Sequence, residues 1–177
     1  PAKLTLIAFF ATVDDAGGRR LAAASSRWAV VDLAARRAVR LPDFVRALAV
    51  GDRGSSLPFS PAAEIDPRTP RLGEWAVAVG RSDLDVVGHA NNTRYLEWAL
   101  DALPLGFEDG RDIVGLDLTF RREARYGDRL TSRALLLEED VVAHELRPLG
   151  GDELCALVVS RWGATTDRTG GVGGGEE

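Results

Sequence analysis

Cysteine and histidine are nearly absent from this chain of 177 residues, which holds one cysteine and two histidines. Cys155 cannot form a disulfide within the chain, which is typical of a reducing compartment. Because Cys155 lies in the apolar run 154–159, we predict a core side chain there rather than a nucleophile. His144 lies within a predicted strand, where a surface or packing role is expected. Without a cluster of metal ligands or a phosphate-binding loop, we expect neither a metal site nor a cofactor.

Long apolar runs and lysine are also scarce. No apolar run approaches the roughly 20 residues that span a bilayer, and residues 1–20 lack the basic start and cleavage site of a signal peptide. We therefore expect a cytoplasmic protein with no membrane segment. The net charge of −5 argues against a nucleic-acid partner. Among the basic residues, which are arginines except for Lys3, one local cluster stands out: Arg121, Arg122 and Arg125. This cluster is either a solvated strand end or a site for phosphates or an acidic carrier protein.

The first part of the chain predicts a hairpin and a short helix. Residues 3–12 and 20–32 are rich in apolar and β-branched side chains, and a glycine-containing turn separates them. A short helix is predicted from Asp43, a suitable N-cap, to about Leu48. Residues 51–73 are rich in proline, glycine and serine, and a structureless run of this length is unusual inside one compact unit. We interpret it as a crossover between two units.

The second part predicts one main helix among strands. Residues 74–80 alternate as in a strand. Residues 91–103 carry apolar side chains at helical spacing and stop before Pro104, which predicts the main helix. Turn residues separate the four strands that follow, so hairpins and an antiparallel sheet are expected. These strands are predicted at residues 113–122, 129–137, 141–146 and 153–164.

A strand, a helix and four antiparallel strands form an α+β pattern. One apolar helix lying across such a sheet describes a hot-dog fold. A faint repeat, Ser-Arg-Trp at 26–28 and again at 160–162, is consistent with two related units or with chance. The chain begins at Pro1, so we expect that the natural N-terminus is missing. The predicted organisation is late strands of a first hot-dog unit with a short helix at 1–48, a linker at 49–73, a complete hot-dog unit at 74–165 and a disordered glycine-rich tail at 166–177.

The most informative motif lies at residues 82–98, Ser-Asp-Leu-Asp-Val-Val-Gly-His-Ala-Asn-Asn-Thr-Arg-Tyr-Leu-Glu-Trp. Asp85 lies just before the turn Gly88-His89, which is predicted to open the main helix. A helix start offers unpaired N–H groups and a partial positive charge. These groups can hold a developing oxyanion while the carboxylate attacks a carbonyl or activates water. The alternative is a cap or turn role, which also suits Asp83.

Three stretches of the chain resemble the acyl-ACP thioesterases. Residues 81–104, which contain the motif, resemble the family signature. Residues 116–128, which contain Arg-Arg-Glu, resemble the strand after its helix, and residues 24–42 resemble the end of its first unit. The resemblance implies two hot-dog units and hydrolysis of acyl-ACP thioesters to free fatty acids. The partner would then be an acyl carrier protein. Coenzyme A would replace it in the alternative, an acyl-CoA thioesterase of the 4-hydroxybenzoyl-CoA thioesterase type.

The resemblance also implies roles for particular residues. Asp85 is the expected nucleophile or general base. His89 would orient Asp85 or bond the thioester carbonyl, unless it only bonds backbone at the helix start. Glu123 would polarise water or bond His89, unless it only pairs with a neighbouring arginine. The residues expected to contact substrate are Gly88, Asn91, Asn92, Trp98, Arg121, Arg122 and Arg125. Helix capping by the two asparagines and core packing by the tryptophan are the alternatives.

The chain departs from the family pattern in its incomplete first unit and at two positions near the motif. Val87 stands where the family carries an asparagine of the proposed catalytic set, and Ala124 stands where it carries a cysteine. The alanine rules out a cysteine nucleophile at that place. The valine leaves a non-catalytic acyl-binding protein as a third hypothesis. An incomplete first unit leaves a sheet edge and an apolar face uncovered, so we expect a homo-oligomer.

Overall fold

The computed structural model describes residues 7–32, 35, 37–47 and 65–165. Contacts between residues divide the chain into two units, 1–61 and 62–177, and this division falls inside the predicted linker. The tail predicted at 166–177 and most of the linker lie outside the described residues, as do residues 3–6 of the first predicted strand.

The first unit contains the predicted hairpin. Strands β1 (Ile7–Asp14) and β2 (Arg20–Trp28) pair antiparallel. The Asp15 carboxylate closes the turn between them, because it accepts the backbone N–H groups of Gly17 and Arg19 at 2.9 Å each.

The strand predicted at 20–32 is broken after Trp28. Its last part forms β3 (Val31–Asp32), which pairs with β4 (Arg37–Ala38) rather than with β1. The short helix α1 follows at Asp43–Ala47, and Leu48, its predicted end, lies outside the described residues.

The second unit contains all the elements predicted for it, with shifted ends. In chain order they are β5 (Arg71–Ala78), a 3-10 helix (Arg81–Asp83), α2 (Asn92–Leu100), β6 (Arg111–Phe120), β7 (Arg129–Glu138), β8 (Val141–Pro148) and β9 (Ala156–Ala164). β5 begins three residues before its predicted start, because Arg71 already pairs with Leu135 of β7.

The five long strands form one antiparallel sheet in the order β5-β7-β8-β9-β6. The predicted pairing of β7 with β8 and of β8 with β9 is confirmed. The predicted hairpin between β6 and β7 is wrong, because β6 pairs with β9 at the far edge of the sheet. Residues 121–128 therefore cross the end of the sheet, and this crossing carries Glu123 to the candidate site.

Helix α2 covers one face of the sheet and packs against β7, β8 and β9. Side chains two apart on a strand share a face, so each central strand presents a row of apolar side chains to the helix. The core between helix and sheet includes Tyr95, Trp98 and Ala99 of α2 with Val77, Leu130, Leu146 and Val158 of the sheet. This is the predicted hot-dog arrangement.

Helix α2 ends at Leu100, three residues earlier than predicted. The chain continues in a tighter turn, in which the N–H groups of Ala102 and Leu103 donate to carbonyls three residues back. Both side chains remain buried, so the apolar spacing extends past the end of the α-helix. Gly73 lies against this turn, where a Cβ would come within 2.2 Å of the Ala102 carbonyl oxygen. No helix among the described residues is long and apolar enough to cross a membrane.

The Ser-Arg-Trp repeat has the same local geometry in both units. In β2 the Trp28 indole N–H donates to Ser26 Oγ, and in β9 the Trp162 indole N–H donates to Ser160 Oγ, each at 2.9 Å. This shared feature supports the interpretation of β1 and β2 as late strands of a first hot-dog unit.

Candidate active site

The Asp85 carboxylate closes a tight turn. Its Oδ1 accepts the backbone N–H groups of Val87 at 2.9 Å and His89 at 3.1 Å. The Gly88 N–H donates to the Asp85 carbonyl at 3.1 Å, and Gly88 has a φ of 83°, which strains residues that carry a Cβ. Within residues 65–165, no hydrogen bond reaches the other carboxylate oxygen, Oδ2. That oxygen is therefore available for chemistry.

Asp83 supports this turn from the preceding 3-10 helix. Its Oδ2 accepts the Gly80 N–H at 2.7 Å, and its carbonyl accepts the Asn91 N–H at 2.8 Å. Leu84, which follows Asp83, and Ala90, which precedes Asn91, pair as an isolated antiparallel β-bridge. Asp83 thus has the turn role that the sequence suggested for it.

The His89 ring faces Glu123. His89 Nε2 lies 3.2 Å from Glu123 Oε2 and 3.4 Å from Arg125 Nη2, while Arg125 Nη2 lies 3.6 Å from Glu123 Oε2. The shorter distance favours a proton on Nε2 that is donated to Glu123. His89 is linked to Asp85 through its backbone N–H, whereas its ring is held by Glu123. The expected contact between Glu123 and His89 is therefore present.

The crossing segment is fixed to the Asp85 turn and to helix α2. The Ala90 N–H donates to the Ala124 carbonyl at 2.8 Å, and His89 forms a bridge with Arg125. The Ala124 N–H donates to the Tyr95 hydroxyl at 2.8 Å. Ala124 is fully buried, and its methyl group offers no nucleophile at this position. Sequence reasoning did not include Tyr95 in the site, because its only signal was its place in the apolar stripe of the helix.

The start of α2 is capped, with one amide left open. The helix begins at Asn92, so the turn Gly88-His89 does not itself open it, contrary to the prediction. Asn91 is the N-cap, and its Oδ1 accepts the Thr93 N–H at 3.1 Å. In the part of the chain from 65 to 165, the Asn92 N–H has no hydrogen-bond acceptor. The Asn92 amide is therefore the group at this helix start that can bind an oxyanion.

The three clustered arginines are exposed and differ in their partners. Arg122 Nη1 lies 3.2 Å from Glu153 Oε2, and Arg125 pairs with Glu123. The structure records no ion pair for Arg121 among the described residues. Trp98 is buried and packs edge-on against Tyr95, so it has the packing role. Contacts of the arginines, Gly88, Trp98 and the asparagines with substrate stay predictions.

Two reactive groups lie in the core rather than at the site. His144 is fully buried, and its Nε2 lies 2.9 Å from Ser160 Oγ. Burial lowers the pKa of His144 from 6.5 to about 4, so the ring is neutral near pH 7. Cys155 is also buried, as predicted, and burial raises the pKa of its thiol, which disfavours the nucleophilic thiolate.

An antiparallel sheet that packs around one helix, with a carboxylate-bearing turn before that helix, defines a hot-dog protein. The family model of the acyl-ACP thioesterase C-terminal domain matches residues 73–162. This chain belongs to the acyl-ACP thioesterase family, and the match lies in that domain. The resemblance found in the sequence is thereby confirmed.

Known relatives extend beyond this chain. A chloroplastic palmitoyl-acyl carrier protein thioesterase of Arabidopsis thaliana is 29% identical over 111 residues, which are 60% of this chain and 27% of that protein. A Lactobacillus plantarum protein assigned as an oleoyl thioesterase has a TM-score of 0.73 at 26% identity. The 12:0-ACP thioesterase of Umbellularia californica has a TM-score of 0.74 at 19% identity. Each solved structure covers 93% of this chain, and this chain covers 65% of each. The hot-dog fold with a partial first unit is confirmed.

Proposed function

We propose that this chain hydrolyses acyl-ACP thioesters and releases free fatty acid, with Asp85 as the central catalytic group. The observation that carries the proposal is the Asp85 carboxylate, whose Oδ1 is fixed by two backbone N–H groups while Oδ2 is left without a hydrogen bond from residues 65–165. A carboxylate held in this way needs little reorganisation before it reacts. Membership of the acyl-ACP thioesterase family supports the substrate class.

Asp85 Oδ2 has two routes to the same products. As a nucleophile, it attacks the thioester carbonyl carbon, the C–S bond breaks, and the sulfur departs as a thiolate. Water hydrolyses the mixed anhydride that remains on Asp85, and the proton released from this water converts the thiolate to the thiol. As a general base, it removes a proton from a water molecule that attacks the carbonyl directly, and the departing sulfur takes up a proton. Both routes consume one water molecule and return Asp85 unchanged.

The other polar groups of the site support the same reaction. In our proposal the Asn92 N–H stabilises the oxyanion that forms at the carbonyl, since the positive end of the helix dipole lies there. Glu123 holds the His89 ring through Nε2–H, which leaves Nδ1 as an acceptor for a proton of the attacking water. In this proposal Asp85, the Asn92 N–H and His89 act on the same thioester carbonyl.

The valine at position 87 leaves intact the backbone hydrogen bonds that fix the Asp85 carboxylate. Its contribution to the turn is a backbone N–H, which any residue except proline supplies. Its side chain is 69% exposed, so the asparagine of the family is replaced without any loss of the turn. The Asp85 turn that the proposed hydrolysis requires is therefore retained.

We propose an acyl carrier protein rather than coenzyme A as the carrier. The exposed residues Arg121, Arg122 and Arg125 flank Glu123 in the chain, and Arg125 forms a bridge with His89 of the Asp85 turn. A basic rim of this kind is complementary to an acidic carrier protein and would steer it toward the site.

Free-thiol release from acyl-ACP and from the matched acyl-CoA tests this function. We expect the wild-type chain to release thiol from acyl-ACP with a higher kcat/KM, and Asp85→Ala to release none above the uncatalysed rate. A preference for acyl-CoA would move the assignment to the acyl-CoA thioesterases. No release from either, by a folded chain that still binds acyl chains, would support the acyl-binding hypothesis instead.

A further inference from the structure

Arg94, in the first turn of α2, holds the segment that leads into Asp85. Its Nη2 donates to the Ser82 carbonyl at 3.2 Å, and its Nε lies 3.3 Å from Asp83 Oδ1. The remaining side of the guanidinium pairs with Glu97. The planar fork of arginine can bond a carbonyl and a carboxylate at fixed angles, which a lysine ammonium cannot do. Arg94 thereby fixes the 3-10 helix from which the Asp85 turn begins.

Tyr95, the next residue, holds the segment that carries Glu123. Its hydroxyl accepts the Ala124 N–H, and Ala124 lies between Glu123 and Arg125. The Tyr95 ring is itself held edge-on by Trp98 and Phe120, with ring centroids 5.3 and 5.4 Å away. The hydroxyl therefore has little freedom to move. Its hydrogen bond with the Ala124 N–H fixes the distance between the Ala124 backbone and helix α2.

Successive side chains on an α-helix point about 100° apart. Arg94 and Tyr95 therefore reach two different segments from one helical turn. We propose that these two residues are positioning residues, which set the placement of Asp85 relative to the Glu123–His89 pair. The proposal rests on the hydrolysis proposed above. Neither residue needs to touch the substrate, since each acts through the segment that it holds.

A positioning role and a merely structural role differ in the quantity that falls when the residue is replaced, which is kcat in the first case and the folded fraction in the second. Misplacement of a catalytic group by about 1 Å can cost on the order of a hundredfold in rate, even when the fold is retained. A loss of positioning therefore lowers kcat while KM and the folded fraction stay near their wild-type values. A merely structural loss lowers the folded fraction and leaves the kcat of the folded enzyme unchanged.

The chain offers matched variants for the test. Tyr95→Phe removes the hydroxyl and keeps both ring contacts. Arg94→Met removes the guanidinium and keeps an apolar side chain of similar length. Arg94→Lys keeps the positive charge but lacks the planar guanidinium. The control is Glu97→Gln, because the Glu97 side chain is 54% exposed and its loss leaves the Ser82 and Asp83 contacts of Arg94 in place.

The measurements are kcat and KM for acyl-ACP, and amide hydrogen exchange of Val87, His89 and Ala124 in the full chain. We expect kcat to fall about ten- to a hundredfold in Arg94→Met and Tyr95→Phe, with KM within about twofold of wild type. Exchange should accelerate at Val87 and His89 in Arg94→Met, and at Ala124 in Tyr95→Phe. Arg94→Lys should fall between wild type and Arg94→Met, and Glu97→Gln should match wild type.

The proposal is overturned if both folded variants keep wild-type kcat and wild-type exchange at these amides. If the wild-type chain releases no thiol, the proposed hydrolysis fails, and the exchange data still decide the positioning role. Faster exchange at Val87 and His89 in Arg94→Met would then support it, and unchanged exchange would overturn it.

Discussion

The two histidines of this chain show how location decides the chemistry of one side chain. His89 lies partly exposed in the Asp85 turn, where its ring faces Glu123. His144 lies in the core, where its only side-chain partner among the described residues is Ser160. Val87 and Ala124 stand where the resemblance implies an asparagine and a cysteine. The backbone N–H groups of both positions still form hydrogen bonds within the site.

Burial of His144 makes the free energy of unfolding depend on pH. The pKa of His144 is about 4 in the folded chain against 6.5 for an ordinary histidine. As the pH falls through 6.5 the unfolded chain binds a proton that the folded chain refuses, so stability is lost progressively between about 6.5 and about 4. We expect this histidine to account for about 3 kcal/mol over that window.

Urea unfolding of the wild-type chain and His144→Gln across this pH range measures the effect. The pH slope should be smaller in the variant, whatever its stability at pH 7. Val142→Ala is the control, because Val142 is buried on the same strand and has no titratable group, so this variant should keep the wild-type slope. Equal slopes for the wild-type chain and His144→Gln would show that His144 is not the group responsible.

At the scale of elements, the Asp85 turn and the crossing segment make the site. The turn depends on Gly88, which has a φ of 83°. Apart from Gly88 itself and its two chain neighbours, no described residue has an atom within 4 Å of the place that a Cβ would take there. Gly150, in the turn between β8 and β9, has a φ of 76° and equally open surroundings. An added Cβ would therefore strain the backbone to a similar extent at both positions, and of the two only Gly88 lies in the Asp85 turn.

This pair separates a stability effect from a catalytic one. Gly88→Ala and Gly150→Ala should each lower the free energy of unfolding by about 1–2 kcal/mol, because a Cβ disfavours a left-handed backbone. Only Gly88→Ala should also lower kcat/KM for acyl-ACP, since it shifts the N–H groups that hold Asp85. Equal kcat/KM values in the two folded variants would contradict the role assigned to this turn.

Local sequence patterns predicted the helices and strands well, but they predicted less well which strands pair with each other. The bounds of β7 and β8 follow from alternation and turn residues, and the apolar stripe gave the buried face of α2. The place of β6 at the far edge of the sheet depends on pairing with β9, which no local pattern encodes. The same holds for the site. Asp85 stands out in the sequence, and the family resemblance implied His89 and Glu123. Arg94 and Tyr95 enter the site only through contacts with residues 12 and 29 positions away.

At the scale of the whole molecule, the two edge strands of the described sheet matter most. The described sheet ends at β5 and β6, and β6 exposes several apolar side chains. These are Ile113, Val114, Leu116 and Phe120. Unpaired strand edges with apolar side chains favour pairing with another chain. We propose that the chain forms a homo-oligomer through this edge.

Light scattering after gel filtration tests the assembly. The wild-type chain should have at least twice the monomer mass of 19.0 kDa. Val114→Lys, on the edge strand, should shift the chain toward the monomer, because burial of an unpaired charge is unfavourable. Leu105→Lys is the matched control, since Leu105 is fully exposed and lies outside the sheet. A monomeric wild-type chain, or equal effects of the two lysines, would refute this interface.

The most direct test of the account is single-turnover thiol release from acyl-ACP by the wild-type chain, Asp85→Asn and Glu97→Gln. The asparagine keeps the size of Asp85 and an oxygen that can accept the Val87 and His89 N–H groups, but it is neither a nucleophile nor a base. We predict that Asp85→Asn lowers the single-turnover rate by about a hundredfold or more, whereas Glu97→Gln keeps the wild-type rate. A folded Asp85→Asn with the wild-type rate would contradict the assignment of Asp85 as the central catalytic group.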